Sequence, residues 1–214
     1  MGRATAGTVC SKVMTRYSTR FLLSAMGKEQ FPAQFAAAGV AEIAFLGRSN
    51  VGKSSLLNAL VGEKAAKVSS TPGRTRAINF FLLADERQRG RLIFADLPGY
   101  GYAKISKSLS AEWPKFIEPY LQERETLELC VCLVDSNVPP QPRDGQLIEW
   151  LQSVEREFVV VATKVDRLSG NERTRNLAAL KTGLGVEEIL AVSAKTGTGI
   201  KELWGRIEEA GNKE

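Results

Sequence analysis

The chain has no histidine among its 214 residues. That absence excludes Ser-His and Cys-His nucleophile systems and every His-ligated metal site. Cysteine is scarce as well, with Cys10, Cys130 and Cys132 making up the whole complement of 3. Thiols so few and so scattered form no disulfide framework and suit a reducing compartment. Cys130 and Cys132 stand two apart in an apolar run, so on a strand they share one face. They read as core filler, because a reactive thiolate needs a polar, basic setting. No stretch reaches the ~18 unbroken apolar residues of a membrane span, and no signal-like apolar region opens the chain. A soluble cytoplasmic protein with no membrane partner is expected.

What is present is ordinary for a globular protein: 43% hydrophobic and 25% charged residues. The length suits one domain of roughly 150–200 residues with extensions. Basic residues exceed acidic ones by 29 to 24, a net +5 that permits a polyanionic partner. From Met1 to Lys28 the chain carries Arg3, Lys12, Arg16, Arg20 and Lys28 and no acidic residue. Such a start describes a flexible basic arm on a bacterial protein, or a transit peptide addressed to an organellar matrix. The lack of a sustained helical stripe favours the arm. Residues 1–19 are therefore read as a flexible basic extension and 20–214 as a single domain.

Beyond Glu42, apolar runs at 43–46, 78–83, 92–95, 129–134, 159–162 and 189–192 read as strands. Helical patterns fall between and after them at 53–60, 110–122, 145–155, 171–182 and 200–209. Strands interleaved with helices predict an α/β fold, a six-stranded mainly parallel sheet with helices on both faces. Ligands of such sheets bind in the loops at the carboxyl ends of the strands.

Four motifs stand at those ends. The first is Gly47-Arg48-Ser49-Asn50-Val51-Gly52-Lys53-Ser54, a G-x-x-x-x-G-K-S run between a strand and a helix. Its glycines allow the tight turn that converges backbone N–H groups on a phosphate, and the following helix aims its positive end at the same anion. Lys53 can reach the β- and γ-phosphates, and the Ser54 hydroxyl can ligate Mg²⁺. The second motif, Asp96-Leu97-Pro98-Gly99, leaves a buried strand. Asp96 can hold the Mg²⁺, usually through water, while the Gly99 N–H faces the γ-phosphate. The third, Thr163-Lys164-Val165-Asp166, offers a carboxylate to the N1–H and exocyclic amine of guanine. Adenine lacks that donor pair, so the site reads as selective for GTP and GDP over ATP. The Lys164 stem can cover the base, and Ser193-Ala194-Lys195 after the last strand can present a backbone N–H to guanine O6, with Val192 at the strand end counted in the same base site beside Ser193 and Ala194.

These motifs in this order resemble a Ras-like P-loop G domain of the TrmE–Era–EngA type. Ser70-Thr71-Pro72-Gly73-Arg74-Thr75, Ile78-Asn79-Phe80-Phe81 and Asp96-Leu97-Pro98-Gly99-Tyr100-Gly101-Tyr102-Ala103 are similar to the EngB (YihA/YsxC) family in particular. The similarity runs from about Arg20 to Glu209. It implies a bacterial GTPase acting in assembly of the large ribosomal subunit, with a link to normal cell division and septation. It also implies that Thr75 is the switch I threonine, ligating Mg²⁺ beside Ser54 and Asp96, with Gly73 and Arg74 in the same nucleotide-sensing loop. Lys53, Thr75 and Gly99 would then be the groups closest to the chemistry.

Two departures from the broader G-protein pattern stand out. Thr163 occupies a position that many relatives give to Asn, an exchange expected to loosen the tie between base loop and P-loop. Tyr100 follows Asp-x-x-Gly where Ras-type enzymes place a water-orienting Gln, so slow intrinsic hydrolysis is expected. Asn50 admits two readings: a ligand for K⁺ near the β- and γ-phosphates, as in related GTPases, or a side-chain brace of the P-loop. Between Lys64 and Arg91, seven basic residues (Lys64, Lys67, Arg74, Arg76, Arg87, Arg89, Arg91) face only Asp85 and Glu86. If switch I and the following hairpin share one surface, this excess would form a face for ribosomal RNA; otherwise it is a solvated loop. A GTP-stabilised RNA- or protein-binding module with negligible turnover is the alternative function. A P-loop metabolic kinase is disfavoured by the guanine-type loops and by the lack of a second substrate domain. No heptad appears, and a monomer is expected.

Overall fold

The computed structural model describes residues 17–62, 77–100 and 115–212. Its elements, in chain order, are β1 (Ser18–Ala25), α1 (Ala33–Ala37), β2 (Ala41–Gly47), α2 (Lys53–Val61), β3 (Ile78–Ala84), β4 (Gly90–Asp96) and α3 (Ile117–Glu123). They continue as β5 (Leu127–Asp135), α4 (Pro142–Ser153), β6 (Phe158–Thr163), α5 (Gly170–Leu184), β7 (Leu190–Ala191) and α6 (Ile200–Gly211). The sheet has seven strands in the order β1-β3-β4-β2-β5-β6-β7. Pairings β4–β2–β5–β6–β7 are parallel, and β1–β3–β4 are antiparallel.

The expected α/β sheet is therefore present, with one strand more than the six expected. The addition is β1, whose sequence STRFLLSA alternates poorly and lies half exposed. It pairs with β3 in the register Ser18↔Ala84 to Ala25↔Ile78, broken by an irregularity between Phe21 and Leu23. β1 starts two residues ahead of the expected boundary at 20. Just before it, Tyr17 stacks on Trp204 of α6 with ring centroids 5.8 Å apart. Residues 1–16, which make up most of the expected extension, lie outside the described residues, as does Cys10.

Period-2 alternation divides the strands between two cores. Ile43, Phe45, Leu129, Val131 and Leu133 face one side, where α2 contributes Leu56, Leu57 and Leu60 and α6 contributes Leu203, Trp204 and Ile207. Ala44, Leu46, Cys130, Cys132 and Val134 face the other, against Tyr120 and Leu121 of α3, Leu147 and Leu151 of α4, and Leu180 and Leu184 of α5. The two cysteines are thus core filler on one face. Burial pushes the Cys130 thiol up to about 12 and the Cys132 thiol well above its ordinary range. Helix α3 begins at Ile117, later than the expected start at 110; positions 110–114 lie outside the described residues. Among the described residues no helix is long and apolar enough to cross a membrane.

Candidate functional site

The carboxyl ends of β2, β4, β5 and β6 gather the loops that carry the motifs. At the end of β2 the chain turns through residues 48–52 and enters α2 at Lys53. Gly52 has φ 107°, a conformation that a β-carbon would strain, and it directs the first-turn N–H groups of α2 out of the helix end. Asn50 is also left-handed, with φ 65°. Asn tolerates that region better than most residues, which supplies a backbone reason for its presence. Among the described residues the Asn50 carbonyl is held by Lys164 Nζ at 2.7 Å.

Lys53 and Asp96 converge from two motifs. Their side chains form a nearly buried ion pair between Lys53 Nζ and Asp96 Oδ1. Leu97 N–H donates to the Phe45 carbonyl at 3.2 Å, so the loop after β4 stays fastened to β2. Gly99 is exposed, and a β-carbon there would lie 3.1 Å from both the Ser49 amide nitrogen and its Oγ, so a larger residue would press the P-loop back by a few tenths of an ångström. Among the described residues no acceptor takes the Gly99 N–H.

Ser54 and Asp96 are hard oxygen donors of the kind Mg²⁺ takes alongside phosphate and water oxygens. Among the described residues no group of three His, Cys, Asp or Glu could cage a metal by itself, so phosphate would have to complete the shell. Gly73, Arg74 and Thr75, including the third expected Mg²⁺ ligand, lie outside the described residues.

The base loops are interlocked. Asp166 is exposed, and its Oδ1 accepts from Ser193 Oγ at 2.7 Å. Ser193 is fully buried, and its Oγ also accepts from the amides of Lys195 (3.2 Å) and Thr196 (3.1 Å). One carboxylate oxygen of Asp166 is thereby oriented, and Oδ2 makes no hydrogen bond among the described residues. Thr163 does not loosen the tie to the P-loop: its Oγ1 lies 2.6 Å from the Val51 carbonyl and 3.1 Å from that of Val134. The hydroxyl takes over the bridging that an amide was expected to provide.

Several functional residues escaped sequence reasoning. Asp135, the last residue of β5, holds Lys164 Nζ at 2.6 Å, and Asn137 donates to the Asp135 carboxylate through both its backbone and side-chain nitrogens. Burial raises the Asp135 carboxyl, but Lys164 and Asn137 outweigh that and hold it below the usual carboxylate range. Its only sequence signal was an acid at a strand end, the same signal that marked Asp96. Val51, Leu97, Val165 and Val192 turn their side chains into the core, so they face the site with main chain alone.

Tyr100 is buried, and its hydroxyl donates to Asp144 Oδ1 of α4 at 3.0 Å. Its ring is therefore packed in the core, with the hydroxyl committed to Asp144. Of the seven basic residues between Lys64 and Arg91, the structure describes the three of the hairpin. Asn79 pairs with Asp96 at one end of β3, and Ala84 pairs with Gly90 at the other. The hairpin bearing Arg87, Arg89 and Arg91 thus lies about 20–25 Å from the motif end of the sheet, at ~3.3 Å per residue. There Asp85 pairs with Arg89 at 2.9 Å and reaches Arg91 at 4.0 Å. Lys64, Lys67, Arg74 and Arg76 lie outside the described residues.

A family model described as a 50S ribosome-binding GTPase matches residues 42–164. The chain is 66% identical over 190 residues to the probable GTP-binding protein EngB of Acidobacterium capsulatum, covering 88% of each. A crystal structure of a probable GTP-binding protein EngB shares the fold at TM-score 0.62 and 22% identity, over 81% of this chain and 100% of that one. Era, crystallised with MgGDPNP and a segment of 16S ribosomal RNA, gives TM-score 0.63 at 26% identity, over 80% of this chain and 56% of that one.

Proposed function

The chain belongs to the EngB family of GTP-binding GTPases, and from that membership we propose that it is a GTP-controlled switch in assembly of the large ribosomal subunit. The observation that carries the nucleotide part is the convergence of P-loop, Asp96–Gly99 loop and Ser193-oriented Asp166 at one end of the sheet. The ribosomal part is supported by the matched family's description as 50S ribosome-binding. The link to cell division and septation is carried by the EngB resemblance, and the proposed setting is the bacterial cytoplasm, with the protein acting as a monomer.

The reaction is hydrolysis of GTP: water attacks the γ-phosphorus, the bond to the β-bridging oxygen breaks, and GDP and phosphate leave. Lys53, now paired with Asp96, would turn toward the β- and γ-phosphates as the P-loop amides receive them. Ser54 and Asp96, with Thr75, would hold Mg²⁺, whose charge offsets that of the phosphates. Gly99 would offer its amide to the γ-phosphate, and Asp166 would take the guanine edge. Asn50, exposed and left-handed, would be the ligand for K⁺, which would supply charge to stabilise the transition state. The burial of Tyr100 favours slow intrinsic turnover, and so keeps a second reading in view: a GTP-stabilised binding module with little hydrolysis.

One experiment separates these. GTP turnover is measured with and without purified large ribosomal subunits, in KCl and in NaCl at matched ionic strength. The switch reading expects acceleration by the subunits and a faster rate in KCl. Turnover indifferent to the particles, although they bind, would favour the module; equal rates in the two salts would remove K⁺.

A further inference from the structure

We infer that Tyr100 and Asp144 form a latch that holds Gly99 in place for the γ-phosphate, making Asp144 a positioning residue that tunes the affinity for GTP relative to GDP. The inference rests on the reading of Gly99 as the γ-phosphate contact, and is independent of the ribosomal partner.

Gly99 is flanked by two attachments. Before it, Leu97 is bonded to Phe45. After it, the main chain of Tyr100 extends the β2–β4 pairing beyond both strands. The Tyr100 N–H donates to the Gly47 carbonyl at 3.4 Å, and Ser49 N–H donates to the Tyr100 carbonyl at 3.0 Å. Arg48 and Tyr100 thus form an isolated parallel bridge between P-loop and the loop after β4. These backbone bonds fix the chain on either side of Gly99, and among the described residues none is made by Gly99 itself. The ring of Tyr100 adds a side-chain anchor, because it is 2% exposed and packs into the core shared with α3 and α4.

The far end of that ring meets Asp144, in the first turn of α4 and 4% exposed. Burial of a phenol and a carboxyl is tolerated when each satisfies the other. The 3.0 Å bond ties a loop to a helix 44 positions away. Burial and the neighbouring Asp144 charge also keep the phenol protonated, well above its ordinary range, so it remains a donor. Among the described residues the hydrogen bond of Asp144 to this loop runs through Tyr100, and the Arg48 charge of the P-loop acts on both groups. Asp144 acts through Tyr100 on Gly99.

The two nucleotides should report this differently. GDP is gripped by the P-loop and the base loops, and GTP adds the contact to Gly99. A loosened latch therefore weakens GTP and leaves GDP alone, whereas a residue that served folding only would weaken both or neither.

The test uses the full-length chain and titrations with fluorescent GDP and a fluorescent non-hydrolysable GTP analogue. Tyr100→Phe keeps the ring and removes the donor. It should lower the analogue affinity about three- to tenfold, the worth of one buried hydrogen bond, with GDP affinity unchanged. Asp144→Asn retains an acceptor oxygen and should recover most of the wild-type ratio. Thermal unfolding of each GDP-bound variant checks folding. An unchanged GTP/GDP ratio in Tyr100→Phe, with or without a lower melting temperature, would overturn the latch. Failure of the parent to bind either guanine nucleotide would instead sink the nucleotide reading, and the latch with it.

Discussion

Asp166 is exposed and flexible by nature, yet the guanine reading needs its carboxylate fixed within hydrogen-bond tolerance. Ser193 provides that, donating to Oδ1 while two amides hold its own oxygen. Oδ1 keeps further lone pairs and Oδ2 is open, so two parallel bonds to the base remain available. Each charge-assisted bond is worth about 1.5–3 kcal/mol, and about 1.4 kcal/mol is tenfold in affinity. Asp166→Ala should therefore weaken GDP at least roughly a hundredfold, and Ser193→Ala roughly tenfold through lost orientation. Fluorescence titration measures both. Equal loss of ATP and GDP binding would show that Asp166 supports the loop and does not read the base.

At the scale of elements, the helix that follows the Asp-Leu-Pro-Gly loop is fixed at its far end. The Arg156 guanidinium, from the turn between α4 and β6, donates to the carbonyls of Leu121, Gln122 and Arg124 at the C-terminal end of α3 and to that of Leu127, the first residue of β5. The Leu121 and Gln122 carbonyls are among those that a helix end leaves without an intrahelical partner, and a cation there also suits the helix dipole. Close by, fully buried Glu42 accepts from Tyr120, Arg124 and Thr126, locking α3 to the start of β2. Arg156→Ala should cost about 2–4 kcal/mol of unfolding free energy, read by urea denaturation. Lys at this position should restore little, since one ammonium cannot span four carbonyls. A loss below about 0.5 kcal/mol would mean that water satisfies those carbonyls unaided.

For the molecule as a whole, the pH dependence of stability carries the imprint of Asp144. Burial pushes its carboxyl up to about 6, against the pull of the Tyr100 hydroxyl and the Arg48 charge. The unfolded value is near 3.8, so the folded chain holds this proton more tightly. Its contribution is complete below about pH 4 and is lost as pH rises toward 6, on the order of 3 kcal/mol. Asp144→Asn should lack this loss, so its stability relative to the parent should rise between pH 4.5 and 7. Denaturation across that range tests it; a constant difference would place the Asp144 titration outside this window.

Much of this protein is legible in its amino-acid sequence. The P-loop, the Asp96–Gly99 loop and the base loops each encode their geometry in a few consecutive residues, and phosphate and guanine recognition depend mainly on that local backbone. The six expected strands all appear, because period-2 runs of buried residues are a local signal too. Tertiary structure alone decided the rest. β1 has no pattern of its own and becomes a strand by pairing with β3, some sixty positions later. The basic hairpin parts from the motif loops because β3 runs antiparallel, a matter of strand order. Asp135 braces Lys164 across 29 positions, and Tyr100 meets Asp144 across 44. Such contacts are set by which strands become neighbours and which helices cover them, and no window of consecutive residues contains that information.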